Sequence, residues 1–197
     1  RAIKAALDDY PREDHRHGII HDCLPTPEGI EVCRDYHIQM PMQSAFIGWK
    51  QEPDDYLERI LGHDRLEKLN PIKTFRDNGI VVSFGSDAPC TTPDPIAWID
   101  RAVNNDNAGQ AVCVQDALRM CTYNGAWAAF DEQERGSLEA GKIADMAVLS
   151  ENPYTVPKDK LKDIRVERLY LGGKPYESCR ENILPMMLRG LTSRNKA

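Results

Sequence analysis

Gly79-Ile80-Val81-Val82-Ser83-Phe84-Gly85-Ser86-Asp87-Ala88-Pro89 decides how the rest of the chain is read. Gly79 stops a preceding helix, a β-branched apolar run follows, and small residues then let the backbone turn tightly around one carboxylate. The run reads as a buried parallel strand with Asp87 at its carboxyl end. In α/β folds that edge collects ligands and catalytic groups, because its loops vary while the strands hold them in register. The same local pattern also suits an Asp that merely caps the following turn, so the remainder of the sequence has to choose between the two.

With 197 residues and 41% hydrophobic content, the chain can bury a substantial core as one domain or as a domain plus a smaller unit. A net charge of -6 without a basic stripe argues against nucleic-acid binding, since little is available to neutralise phosphates. The six cysteines, Cys23, Cys33, Cys90, Cys113, Cys121 and Cys179, show no C-x-x-C spacing, and several fall in apolar periodic segments. Such thiols pack as small hydrophobes, and a reducing, cytoplasmic setting is expected. No stretch approaches the ~20 apolar residues of a membrane span, and Arg1-Ala2-Ile3-Lys4 opens no signal-peptide pattern. There is no initiator Met, and the chain is expected to be a piece of a longer protein.

Taken in order, Ile3, Ala6, Leu7 and Tyr10 fall at helical spacing before Pro11. Gly18-Ile19-Ile20-His21 is a short apolar run ending in histidine, and Thr26-Pro27-Glu28 caps a helix carrying Ile30, Cys33 and Tyr36. Alternation from His37 to Phe46 predicts a strand that Pro41 kinks or ends. Ile47 to Leu69 reads as short helices over a loop, and Asn70-Pro71 repeats the cap-and-proline start of a helix that Gly79 closes. Beyond Asp87, Asp94-Pro95 opens a helix with Ile96, Ile99 and Val103, and a longer one runs from Val114 to Ala129. The alternation of strands and helices predicts a parallel sheet with right-handed crossovers. From Gly136 the texture changes to turns, a strand at Met146 to Leu149, and a hairpin at Val166 to Tyr176. One helix around Ile183 to Leu191 is expected in the tail.

His21, Gly85-Ser86-Asp87-Ala88-Pro89, Asp94-Pro95-Ile96, Ala117-Leu118-Arg119-Met120-Cys121-Thr122-Tyr123-Asn124-Gly125-Ala126 and Gly136-Ser137-Leu138-Glu139-Ala140-Gly141-Lys142-Ile143-Ala144-Asp145-Met146 follow one another in this order. Together they resemble the C-terminal half of the amidohydrolase superfamily, in the branch called amidohydrolase family 3. The resemblance implies an α/β fold: a partial (β/α)8 TIM barrel, about strands six to eight, plus the C-terminal part of a small β-sandwich. On that reading residues 1–132 belong to the barrel, 133–178 to the sandwich and 179–197 to a tail. A whole barrel needs about 250 residues, so only part of one is expected here.

Metal ligands in such enzymes are two His on the first strand, a bridging carboxylated Lys or acid, a His on each of the fifth and sixth strands, and an Asp on the eighth. The resemblance assigns His21 to the sixth-strand position and Asp87 to the eighth. The other ligands have no counterpart in this sequence. A divalent metal, zinc foremost with iron or manganese also open, lowers the pKa of bound water, and a nearby carboxylate takes its proton during attack on a carbonyl carbon. Asp87 is thus expected as general base and metal ligand, and His21 as a ligand through a neutral ring nitrogen.

Other candidates carry less. His15 and His17 lie on the N-terminal side of the same strand in a charged loop; His37 stands at a strand start, and His63 precedes Arg65 in a loop. Cys90 follows the Asp87 turn with no basic neighbour to activate it. Gln43 and Arg65 fall in loops over the mouth, where substrate contact is open to them. Gly85 and Gly136 read as backbone requirements. The expected function is part of a metal-dependent hydrolase of small molecules acting on carbon–nitrogen bonds other than peptide bonds, inactive as an isolated piece. It is expected to self-associate through the open barrel edge, with no nucleic-acid or membrane partner. The alternative is a non-catalytic scaffold that has lost a complete metal site, and a thiol enzyme is disfavoured by the cysteine spacing.

Overall fold

Thr26 starts a helix by accepting a hydrogen bond from the Gly29 N–H through its hydroxyl, with Pro27 in the first helical position. This helix, α2 (Pro27–Asp35), follows α1 (Ala2–Asp9), and each turns one residue, Cys33 and Leu7, fully into the protein. The structure, a computed structural model, describes residues 1–48 and 52–176; the expected helix near Ile183 lies outside them.

The parallel part is built from β1 (Met40–Met42) and β2 (Val82–Phe84), paired Met40 with Val82, Pro41 with Ser83 and Met42 with Phe84. The segment 17–21 lies on the other side of β1. Ile19 N–H donates to the Gln39 carbonyl at 3.0 Å and His21 N–H to the Pro41 carbonyl at 3.3 Å. Only one regular bridge forms there, Gly18 with Gln39. The cause is Pro41: its missing N–H removes the bond that would return toward Ile19, so the expected strand ending at His21 is reduced to a bridge. The predicted strand from His37 to Phe46 shortens in the same way, because His37 takes φ +51° and Ser44–Phe46 coil into a 3₁₀ turn.

Met40, Met42 and Val82 turn to one face and meet Ile72 and Phe75 from α5 (Ile72–Asp77), Ile99, Ala102 and Val103 from α6 (Pro95–Val103), and Ala117 and Met120 from α7 (Val114–Cys121). This one cluster is the core. Between β1 and β2 the chain forms α3 (Asp54–Leu61) and α4 (His63–Leu66), the expected short helices. Asp94 caps α6 by accepting from the Ile96 and Ala97 N–H groups. Two helix boundaries differ from expectation. Asn70 adopts φ +51° and its carbonyl takes the Ile72 N–H, so it forms a turn before α5 rather than a side-chain cap. The predicted long helix breaks at Thr122, whose backbone leaves helical values and whose hydroxyl donates to the Leu118 carbonyl at 2.8 Å; α8 (Tyr123–Ala128) continues beyond.

A second, antiparallel sheet holds β3 (Met146–Leu149), β4 (Val166–Leu171) and β5 (Lys174–Pro175). Gly172 and Gly173 both take positive φ in the β4–β5 turn, as a two-residue hairpin of right-handed twist requires. The described residues therefore form a mixed α/β chain with two small sheets; they do not close a barrel, and a three-stranded sheet stands where the C-terminal part of a sandwich is expected.

Candidate metal centre

His21 and Asp87 each occupy the left-handed backbone region, with φ +59° and +52°, a conformation that few residues other than glycine adopt. Those turns lie just past the carboxyl ends of the first and third parallel segments and bring the two side chains together. His21 Nε2 stands 3.5 Å from Asp87 Oδ2, with 38% and 44% of the two side chains exposed. The imidazole also stacks on Phe46, centroids 5.7 Å apart and planes 14° from parallel. Phe46 reaches it from the 3₁₀ turn after β1. The Asp87 turn is braced on both sides. Ala88 N–H donates to the Ser86 hydroxyl at 3.1 Å, and Cys90 N–H donates to the Asp87 carbonyl at 2.8 Å.

An exposed His–Asp contact of this kind adds little to stability. Its donor chemistry is more informative. A neutral ring nitrogen and a carboxylate oxygen are both lone-pair donors, and ligand bonds of about 2.0–2.2 Å at tetrahedral angles put neighbouring donors ~3.3–3.5 Å apart. The observed separation therefore fits two ligands of one divalent ion. It is an incomplete set: no cluster of three or more His, Cys, Asp or Glu among the described residues is placed to hold a metal.

Gln43 is the residue between them. It follows β1, stands beside Gly85 across the sheet, and is 8% exposed. Its Oε1 is buried without a hydrogen-bond partner among the described residues, and a Cβ at Gly85 would come within 3.9 Å of its Nε2. The next residue, Ser44, is buried but satisfied, its hydroxyl donating to the Trp98 carbonyl at 2.9 Å.

The remaining sequence candidates stay apart from this pair. His15 bonds the Tyr36 carbonyl through Nε2 and accepts the His17 N–H, and the two rings stack at the opposite end of the first segment. His63 is exposed between Glu58 and Glu67 at 3.3 and 3.4 Å, and His37 is exposed in its turn. Arg65 donates to the Leu61 carbonyl. Cys90 is exposed in an open groove with Ala88, Pro89 and Ala97. A separate cavity of about 350 Å³, lined by Phe46, Leu57, His63 and Asn105, includes neither His21 nor Asp87. Phe46 is the neighbour that sequence reasoning missed, and an aromatic in a loop gives no local sign of the ring it will stack on.

Comparison with known proteins bears on the family and the fold. A profile of the amidohydrolase family matches residues 1–176. An N-substituted formamide deformylase from Arthrobacter pascens is 32% identical over 152 residues, covering 74% of this chain and 26% of the deformylase. A metal-dependent hydrolase from Pyrococcus furiosus superposes with a TM-score of 0.59 at 25% identity, over 73% of this chain and 30% of the hydrolase. An adenosine deaminase from Xanthomonas campestris with bound Zn gives 0.62 at 18% identity, over 98% of this chain and 45% of the deaminase. The chain spans between 23% and 34% of the lengths of the curated relatives it matches. With the profile extending over nearly all the described residues, the chain belongs to the amidohydrolase family.

Proposed function

We propose that this chain is the C-terminal part of a metal-dependent hydrolase acting on carbon–nitrogen bonds other than peptide bonds, with His21 and Asp87 as its share of the metal site. The observation that carries the reading is the convergence of His21 Nε2 and Asp87 Oδ2 at 3.5 Å, beyond the ends of parallel segments. The formamide deformylase among the similar proteins favours the same class of bond. In the full barrel the segment 17–21, β1 and β2 serve as strands six to eight. Residues 1–132 then form the barrel portion and 133–178 part of the flanking sandwich.

His21 and Asp87 fit zinc by donor type, and a zinc ion in such a site supplies a water whose pKa lies near neutrality. What this chain itself contributes is positional. On this reading the left-handed turns hold the two donors at the mouth, Phe46 fixes the plane of the imidazole, and the Asp87 carboxylate would take a proton from an attacking water. Two ligands and an open face exclude little water, so the isolated chain is silent as a catalyst. On the side away from β1 its first parallel segment has no strand beside it among the described residues, and that edge would favour self-association, which sedimentation would read as dimers. The free cysteines suit a reducing cytoplasm. No described helix is long and apolar enough to cross a membrane.

A second reading, a scaffold without catalysis, draws on the same two-donor count. Assay of the intact, zinc-loaded protein against N-substituted formamides, cyclic amides and lactones separates them. Turnover of an amide supports the hydrolase, and no turnover of any probe by metal-loaded protein supports the scaffold.

A further inference from the structure

We propose that Arg101 is a specificity-determining residue that holds a carboxylate at the end of the substrate remote from the bond that breaks, so that the site takes amides carrying a free carboxylate over uncharged amides of the same length. The proposal rests on the hydrolase reading above and names the substrate class which that reading leaves open.

Position comes first. The Asp87 turn closes where the Cys90 N–H meets the Asp87 carbonyl at 2.8 Å, and the chain from Ala88 to Pro93 lines an open groove of about 580 Å³. Ala45, from the 3₁₀ turn after β1, and Ala97 and Arg101, one turn apart on α6, complete its lining. A volume of that order suits a small organic ligand. The groove thus begins at the residue after Asp87, past the carboxyl end of β2, and the far end of a substrate held at Asp87 has room to lie in it.

Charge comes second. Arg101 is the single charged residue among the described walls of the groove. Three of the described arginines are half-buried: Arg16, Arg76 and Arg101. Arg16 pairs with Asp14 and Glu132, and Arg76 with Asp77 and Asp116. Arg101 makes no ion pair and no hydrogen bond among the described residues. Its Nη1 lies against Gly48, where a Cβ would stand 2.9 Å away; Asp106 Oδ2 approaches the same glycine, 2.7 Å from that point, without pairing with the guanidinium.

A guanidinium drawn partly out of water without an anion is unfavourable, and a carboxylate restores the balance through two parallel charge-assisted hydrogen bonds. The groove leaves Arg101 open to such a partner. Its place in the last turn of α6 also complements the helix dipole. That structural role needs no groove, and the two are separable: loss of a dipole contact lowers the thermal midpoint and leaves substrate preference alone.

The test gives the intact, zinc-loaded protein 4-formamidobutyrate and 6-formamidohexanoate, each beside the N-alkylformamide of the same chain length, and reads the ratio of kcat/KM within each pair. The wild-type protein is expected to prefer the carboxylate in at least one pair by ~10-fold or more, and Arg101→Gln to remove most of that preference, with the loss falling on KM. In the wild-type protein the preference should also shrink as salt is raised, which preserves the test if the variant fails to fold. No preference in either pair, or a ratio unchanged in Arg101→Gln, overturns the role of Arg101 while turnover of the alkylformamides leaves the hydrolase reading standing. If neither kind of probe is turned over, the hydrolase reading fails, and calorimetric titration with the same pairs decides for Arg101: tighter binding of a carboxylate probe that Arg101→Gln abolishes supports an anion site, and equal binding within both pairs overturns it.

Discussion

Arg16 and Glu132 lie 116 positions apart in sequence, and their side chains meet through two parallel hydrogen bonds of 2.7 and 2.8 Å. Asp14 also bonds the same guanidinium at 2.8 and 2.9 Å, and the rings of Trp127 and Phe130 pack on it with centroids at 4.6 and 4.1 Å. Only 7% of the Arg16 side chain and 11% of that of Glu132 remain exposed. This clamp ties the start of the first parallel segment to the stretch just past α8, at the end of the sheet away from the candidate metal centre.

The clamp predicts an acid limb in stability. Hydrogen bonding to Arg16 pulls the Glu132 carboxyl from its ordinary 4.5 down to about 2. A carboxylate whose folded pKa is depressed stabilises the fold above its unfolded value, and that contribution is lost as pH falls from 4.5 through about 2. Glu132→Gln removes the titrating group. Between pH 6 and pH 3 its urea midpoint is therefore expected to fall less than that of the wild-type protein; equal falls would show that the clamp does not titrate.

Gly136 predicts a steric cost. It holds φ +86°, and a Cβ there would sit 2.7 Å from Ala126 Cβ and 3.0 Å from Tyr123 Cα. Both neighbours belong to α8, a packed element that yields little. Gly136→Ala is expected to destabilise by about 1–3 kcal/mol. Gly141, with φ +95° and nothing within 4 Å, isolates the backbone part of the effect. Thermal denaturation of the two alanine variants should show the larger loss at Gly136, and equal losses would remove the packing argument.

The cysteines predict a labelling pattern. Burial pushes the Cys121 thiol up to about 12, whereas Cys90 and Cys113 are exposed. Since the thiolate is the reactive form, iodoacetamide at pH 8 should modify Cys90 and Cys113 in the native protein and reach Cys121 only after denaturation. Peptide mass spectrometry reads this directly. Early modification of Cys121 would contradict its partly buried place at the end of α7.

Much of the framework is legible in the sequence where the cause is local. Thr26-Pro27 and Asp94-Pro95 start helices because side-chain oxygen and ring act within one turn, and Gly172-Gly173 makes its hairpin for the same reason. Asn70-Pro71 looks alike on paper, yet Asn70 bends into a left-handed turn after its N–H reaches the Cys23 carbonyl, a partner 47 positions away that no local pattern contains. The Thr122 break sits inside an apolar helical periodicity that continues straight through it, so only the backbone itself reveals it. The proposal of His21 and Asp87 draws on motif and order, which the sequence carries. The lone carboxamide of Gln43 was not singled out by its chemistry, because burial without a partner is a property of the folded neighbourhood and has no signature along the chain.

Asp87 predicts the kinetic signature of a lost base. In the intact protein Asp87→Asn keeps the shape of the side chain and removes its proton affinity. Turnover is expected to fall at least ~100-fold with an unchanged thermal midpoint. A variant retaining more than about a tenth of wild-type turnover would deny Asp87 the role.

Metal content of the intact protein is the most direct measurement of the central assignment. Purified wild-type protein, His21→Ala and Asp87→Ala, each equilibrated with zinc, desalted and analysed by plasma mass spectrometry, report how much metal each chain keeps. If the two side chains that meet at 3.5 Å are ligands, the wild-type protein retains zinc and each variant retains at least ~10-fold less at limiting metal. Wild-type zinc content in both variants would contradict the assignment.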